Sequence, residues 1–464
     1  MTEKKAYTVT DLGGGDGGKG GVVHKLCALR RPHTVIKVGG AQGSHGVSTD
    51  RGEKFNFSQF GCGTFNGART FISDRFVVSP VGLLNEAHAL RYEQGVTDPF
   101  SLVAVDGNAL CTTPFHGIDS RLRELARKEN PRGIVGVGVG EAYLDAIERY
   151  PEEAIYAKDL AKPDLRERLR AALNRKLFDL ALIFEMEFMT EDAGLVKEQI
   201  DLIRNEEFFD WVVEQFTEFA KRVQIVDAGY LRREVLSRDG VIVVESSHGV
   251  LTDRFYGFHP HTTRLRTVPE ATSWSLLSEH GYDGWVIKLG VTRGYQIRHG
   301  AGPLVVDDPE MALALLPEEV GKPDRYRGKV RVGPLDMVAL RYALNVCGGP
   351  QSFDGLAVTW VDYVSRVGRW KICDRYEGAT HPEYFTPLGE IRVLRGSDNN
   401  QLRHQEGLAK ALGDCRPHLV DFQVHPGATQ EDMIALCSAV LVEQLGVPVR
   451  MMSFGPTESD KVCF

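Results

Sequence analysis

Short apolar runs alternate along the chain with longer amphipathic stretches, and most of the apolar runs stop at glycine or another small residue. Residues 7–10, 34–38, 102–106, 241–245, 285–290, 355–362 and 447–452 read as strands. Helical periodicity covers 22–29, 78–95, 118–128, 336–345 and 429–445, and dominates from 151 to 235. Such alternation predicts an α/β fold with a large, mostly parallel central sheet flanked by helices. No internal repeat or low-complexity linker divides the chain, so 1–464 is expected to be a single domain with a helical subregion at about 151–235. Within that subregion Phe208, Trp211, Val212, Phe216 and Phe219 fall at helical spacing and read as a packing face.

Composition narrows the function without naming it. The 464 residues carry a formal charge of −8 and are 42% hydrophobic and 25% charged, an ordinary globular balance. That disfavours wholesale binding of nucleic acid or of an anionic membrane surface. Eight cysteines are scattered without a C-x-x-C pair, which fits incidental thiols in a reducing compartment and speaks against a structural zinc site. The start, Met1-Thr2-Glu3-Lys4-Lys5, carries no apolar leader, and no run approaches a membrane span, so the expected location is the cytoplasm.

The candidate chemistry lies in the loops that follow strands. Residues 12–21, Leu-Gly-Gly-Gly-Asp-Gly-Gly-Lys-Gly-Gly, sit between a strand and a helix, and Gly13 is followed after four residues by Gly18-Lys19. This is the spacing of a phosphate loop, in which backbone N–H groups close on phosphate oxygens and a lysine adds charge. Gly20 stands where a metal-binding Ser or Thr is usual, which leaves Asp16 as the hard anionic oxygen ligand of the loop. A second glycine-rich loop, 39–46, holds His45 among small residues and faces the same crevice in a parallel sheet. A third glycine run spans 133–140, and a fourth small-residue loop, Ser246-Ser247-His248-Gly249, follows the 241–245 strand. Cys62 has no base paired with it in the sequence and reads as filler. His259 and His261 have the spacing of a two-histidine metal pair but no third ligand nearby, whereas Thr262, Thr263 and Arg264 suit a phosphate. Arg325, Arg327, Lys329 and Arg331 form either a solvated face or a grip for a carboxylate substrate. Asp362, closing an apolar strand, is either a guanine-reading carboxylate or a helix cap.

The order of these blocks resembles the adenylosuccinate synthetase family over nearly the whole chain. The family's G-D-E-G-K-G-K is similar to 15–21, its G-G-H-N-A-G-H-T to 39–46, its G-R-G-I-G-P-A-Y-E-D to 136–145, its F-E-G-A-Q-G to 244–249, and its S-T-G-P to Ser453-Phe454-Gly455-Pro456. The resemblance implies a GTP-dependent C–N ligase: the 6-oxo group of a purine nucleotide is phosphorylated and an amino acid amine, aspartate in the family, then displaces phosphate. It implies Asp16 as general base and His45 as acid, Mg²⁺ held by Asp16 and Ser44, and GTP held by Gly15, Gly17, Gly18, Lys19, Gly20, Asp362, Ser453, Gly455 and Pro456. It places Gln42, Arg149, His248, Thr263, Lys329 and Arg331 on the substrates, with Arg149 reaching across a homodimer interface.

Several positions depart from the family pattern. Its glutamine becomes His248, its T-T-G-R-G becomes residues 134–138, Ile-Val-Gly-Val-Gly, and the lysine of T-K-L-D becomes Trp360. Its T-T-G-R-R-R-R is reduced to residues 327–331, Arg-Gly-Lys-Val-Arg. These departures leave open a paralogue that joins a different oxo acceptor and amine, or a GTP-binding regulator without ligase activity. Phage relatives that aminate a 2-aminopurine nucleotide carry a smaller residue in place of the loop aspartate. Asp16 is kept here.

Overall fold

The computed structural model describes residues 3–425 and 427–464, so Met1 and Thr2 of the terminal stretch lie outside it. In chain order the strands are β1 (Lys5–Asp11), β2 (Thr34–Gly40), β3 (His45–Ser48), β4 (Lys54–Phe57), β5 (Arg69–Val77), β6 (Val103–Asp106), β7 (Gln224–Val226), β8 (Val241–Gly249) and β9 (Trp285–Arg293). They continue with β10 (Gln296–His299), β11 (Val330–Gly333), β12 (Leu335–Asp336), β13 (Gly355–Thr359), β14 (Arg369–Glu377), β15 (Arg416–Gln423), β16 (Val449–Ser453) and β17 (Lys461–Cys463).

Ten of these form the central sheet, in the order β17-β16-β13-β9-β1-β8-β2-β5-β6-β7. Every pairing in it is parallel except that of β16 with β17. Helices cover both faces, so β2, Thr-Val-Ile-Lys-Val-Gly-Gly, is buried at every position rather than at alternate ones. β1 lies in the middle, between β8 and β9, and the carboxyl ends of β1, β2, β8, β9 and β13 open on one crevice, as ligand sites do in open parallel sheets.

The helical subregion contains helices Leu165–Phe184, Ala193–Ile203 and Glu206–Arg222. Val212, Phe216 and Phe219 of its aromatic stripe are fully buried, while Trp211 stays 39% exposed, so the packing face is narrower than the stripe. β7, at 224–226, interrupts the expected helical run because it adds the last strand to the sheet edge beside β6.

Other boundaries also differ from the sequence reading. Residues 246–249 are not a loop: β8 runs through them to Gly249, and Ser246 and Ser247 hydrogen-bond to the carbonyls of Val9 and Gly40 in the flanking strands. β13 stops at Thr359 because Trp360 takes φ 53, outside strand geometry, and Asp362 opens the short helix Asp362–Val367. The strand ending at Ser453 is followed by the antiparallel β17. Among the described residues no helix is long and apolar enough to cross a membrane.

Candidate active site

β1 ends in a buried carboxylate. Its register against β8 shifts between Val9 and Asp11, a bulge of the kind that re-aims a side chain, and Asp11 turns under the glycine run. Asp11 Oδ1 accepts from the Gly13 amide, and Oδ2 accepts from the Gly17 amide and from Lys19 Nζ, each at 2.8 Å. Both side chains of the Asp11–Lys19 pair are buried, so one carboxylate fixes the loop's shape and neutralises its lysine. Spacing alone assigned Lys19 to phosphate and missed Asp11. Lys19 lines the crevice, whereas Gly17, whose amide donates to Asp11, does not. Helix Lys19–Arg30 follows directly, with no side chain capping its amino terminus, which leaves first-turn N–H groups for an anion.

Asp16 stands on the loop with φ 56, its carboxylate half-exposed in the crevice and Oδ2 3.1 Å from His299 Nε2. Its carbonyl accepts from Arg293 Nε. Burial by itself raises this carboxyl's pKa, but the His299 hydrogen bond and the charges of His299, Arg293 and Lys19 outweigh it and hold Asp16 below the usual carboxylate range.

His45, expected within a loop, is the first residue of β3 and pairs with Phe57 of β4. Its Nδ1 lies 2.6 Å from Glu245 Oε1, and Lys37 Nζ donates to the same oxygen at 2.7 Å. Glu245 Oε2 accepts from the Cys62 amide at 2.9 Å, and the Cys62 thiol approaches Oε1 at 3.3 Å, so Cys62 packs on the carboxylate rather than filling space. Burial opposes ionisation of Glu245, yet Lys37 and His45 hold its pKa down. With Glu245 ionised, Nδ1 carries the His45 proton and Nε2 is the ring nitrogen left for a ligand. Burial first, then Lys37 and Lys19, lower the pKa of His45 itself against the pull of Glu245.

These groups share one cleft of about 660 Å³. Of the residues singled out in the sequence, Gly15, Asp16, Gly18, Lys19, Gly20, Gln42, Ser44, His45, His248, Thr263, Asp362, Ser453, Gly455 and Pro456 all line it. Gln42 Oε1 and His248 Nδ1 are buried there without a hydrogen-bond partner, and burial beside Lys19 and His45 pushes His248 down to about 4. At one end Asp362 is paired with Arg366 at 3.3 Å, and burial raises its pKa.

Three residues expected on the substrates lie elsewhere. Arg149 is bound to Glu141 at 2.9 Å and Asp145 at 3.2 Å, outside the cleft of its own chain. Lys329 is exposed and outside it. Arg331 is also outside, donating to the carbonyls of Gly300 and Gly302 and pairing with Asp307. The arginines that do line the cleft's other end are Arg127, Arg132, Arg264, Arg298 and Arg327. Arg298, nearly buried, donates to the carbonyls of Ala301 and His261, and burial with Arg331 behind it lowers its pKa to about 10. Residues 133–140 form the wall beside them, with Ile134, Val135 and Val137 facing in. His261 meets the Arg132 carbonyl and His259 the Arg254 carbonyl, so neither histidine is arranged as a metal ligand.

A hard cation suits one part of this cleft. Asp16 supplies an ionised oxygen donor to the cleft that Ser44 also lines, the donor chemistry Mg²⁺ takes. His45, Cys62 and Glu245 also cluster closely enough to hold an ion, but Lys37 already neutralises that carboxylate.

The adenylosuccinate synthetase family model matches residues 9–462. The adenylosuccinate synthetase of Fusobacterium nucleatum is 26% identical over 483 aligned residues, covering 98% of each chain. Among solved structures, the fully ligated adenylosuccinate synthetase of Plasmodium falciparum superposes with a TM-score of 0.74 at 16% identity, over 99% of both chains. The succinoaminodeoxyadenylate synthetase of cyanophage S-2L, bound to dGMP and to dATP as an energy donor, superposes with a TM-score of 0.56 at 15% identity, over 99% of this chain and 95% of its own.

Proposed function

The chain belongs to the adenylosuccinate synthetase family, and from that premise we propose that it couples GTP cleavage to formation of a C–N bond between a 6-oxopurine nucleotide and an aspartate-like amine. The observation that carries the reading is the convergence of Asp16, from the phosphate loop, and a Glu245-anchored His45, from the start of β3, on one cleft.

The chain's own groups divide the work. Asp16 takes the N1 proton of the oxopurine, which concentrates charge on O6 as the γ-phosphoryl group arrives there and GDP departs. Doing so requires Asp16 to give up His299, since the pairing depresses its basicity. His45 takes up a second proton beside the bound phosphates, and the Nε2–H so formed donates to the β–γ bridging oxygen as the bond breaks, while Nδ1–H stays on Glu245. The amine nitrogen then attacks C6, phosphate leaves, and the surplus amine protons go to solvent. Gly15, Gly18, Gly20 and the open helix terminus hold the phosphates, while Asp362, Ser453, Gly455 and Pro456 take the guanine. Asp16 and Ser44 would hold Mg²⁺, which when bound supplies charge neutralisation at the phosphates. Gln42, His248 and Thr263 meet the oxo acceptor. Arg298 and Arg327 replace Lys329 and Arg331 as the grip on the amine's carboxylates. The working unit is a cytoplasmic homodimer, in which Arg149 is offered to the partner's cleft.

Phosphate release from GTP, measured with inosinate and aspartate separately and together, tests this. Release only with both present is the expected result. One observation favours a second acceptor: Ile134, Val135 and Val137 line the wall where the family has T-T-G-R. Turnover absent with inosinate and aspartate but present with another oxo compound and amine identifies that paralogue. No turnover with any pair, while GTP still binds, identifies the regulator.

A further inference from the structure

Trp360 stands between the phosphate loop and Asp362, where the family pattern has a lysine. Both of its neighbours are tied down. Thr359 Oγ1 donates to the Gly17 carbonyl of the phosphate loop at 2.8 Å, and the Val361 amide donates to the Ser453 carbonyl at 2.9 Å. Trp360 itself takes φ 53, a conformation that is unfavourable for a bulky side chain and persists only where the surroundings enforce it.

The indole is also held from two sides. A Cβ on Gly18 would come within 2.6 Å of Trp360 Cζ3, so the ring's edge rests directly on the phosphate loop at a position only glycine permits. The Arg293 guanidinium lies 3.7 Å from the ring centroid, and Arg293 is itself fixed by the Tyr295 hydroxyl at 2.6 Å and by the Asp16 carbonyl. Despite this fixing, 37% of the residue remains exposed, and it lines the cleft. A large aromatic ring is thus strained, locked and left open to a ligand, one ring-width from the phosphate loop and two residues before the base-reading carboxylate.

We propose that Trp360 is the stacking platform for the purine base of the nucleotide whose phosphates occupy the 13–20 loop. The inference rests on the reading of this cleft as a GTP site and adds to it a division of labour. Stacking on an aromatic face contributes affinity for any purine, because every base has a π-face, and leaves discrimination to Asp362. The clamp on Thr359 also couples the base platform to the loop: seating the ring seats Gly17 and Gly18.

Intrinsic tryptophan emission and calorimetry, titrated in parallel with GDP, test the proposal on the full chain. Glycine tolerates φ 53, so Trp360→Gly removes the ring without adding backbone strain. The expected results are a change in wild-type emission on GDP binding and a roughly 5- to 150-fold weaker affinity in Trp360→Gly, the fold-change for about 1–3 kcal/mol of stacking. Trp360→Phe is expected to restore most of that affinity without restoring the emission change. Trp360→Gly should weaken GDP and IDP by the same factor, whereas Asp362→Asn should narrow the gap between them. Wild-type affinity in Trp360→Gly, or an emission change that survives in Trp360→Phe, overturns the proposal while the GTP site stands. Absence of any GDP binding to the wild type overturns both.

Discussion

The two ends of the cleft handle charge in opposite ways. Around the phosphate loop and His45, the carboxylates are answered by cations from within the chain: buried Asp11 by Lys19, buried Glu245 by Lys37 and His45, and half-exposed Asp16 by His299. At the other end, Arg132, Arg264, Arg298 and Arg327 line the same space and none forms an ion pair with a carboxylate among the described residues. Arg298 is nearly buried and pushed to about 10 by that burial and by Arg331. The first end is a closed acid–base device whose geometry is set before any ligand arrives. The second is an anion site whose charge is completed by the substrate, and it is there that the chain departs most from its family's motifs.

The contrast can be broken most sharply at Asp16. Asp16→Asn removes the base and should lower kcat by roughly 10²- to 10⁴-fold while GDP affinity measured by calorimetry stays close to wild type. Next in size is Asp11→Ala, which leaves Lys19 buried without its partner. Loss of one member of a buried pair costs about 3–5 kcal/mol, and a denaturant titration should show it as a lowered midpoint. At the open end, Arg327→Ala should raise KM for the amine by roughly 10- to 150-fold, the value of about 1.5–3 kcal/mol for a charge-assisted hydrogen bond. Lys329→Ala, two residues away and outside the cleft, should change KM by less than about threefold, within the usual effect of a surface substitution.

The smallest effect is a shift in pH. His299 lowers the Asp16 pKa, and activity requires the ionised carboxylate. His299→Leu removes a lowering influence, so the pKa rises and the acid limb of the kcat/KM profile moves to higher pH. A limb that stays in place would mean that His299 does not tune the base.

The glycine runs made the closed end partly legible in the sequence. Asp16 and His45 stand out because loops of small residues give a charged side chain nothing to pack on. Their partners did not stand out, because the pairing is non-local: His45 and Glu245 are 200 residues apart, and Lys37 and Glu245 are 208. Lys37 and Glu245 read as residues of ordinary buried strands until β2 and β8 are placed side by side. Asp11 was hidden by its position at a strand end, where an acid is commonplace.

At the open end the basic cluster was visible but its members were not separable. Arg298 in β10 pairs with Arg331 in β11, yet Arg298 lines the cleft while Arg331 braces the 300–302 turn behind it. Likewise the sheet itself followed from alternation, whereas β7 and β17, three residues each, are too short to carry a period. Trp360 ended β13 early through a backbone angle that no hydropathy pattern encodes.

The most direct test of a retained activation step is oxygen-isotope scrambling between the β–γ bridge and the β non-bridging positions of GTP, followed with a 6-oxopurine nucleotide present and the amine withheld. Reversible phosphoryl transfer to the acceptor is expected to scramble the label in the wild type, to require the acceptor, and to be lost in Asp16→Asn. Absence of scrambling with every 6-oxopurine nucleotide, from a protein that binds GTP, or undiminished scrambling in Asp16→Asn, would contradict Asp16-dependent activation of the acceptor.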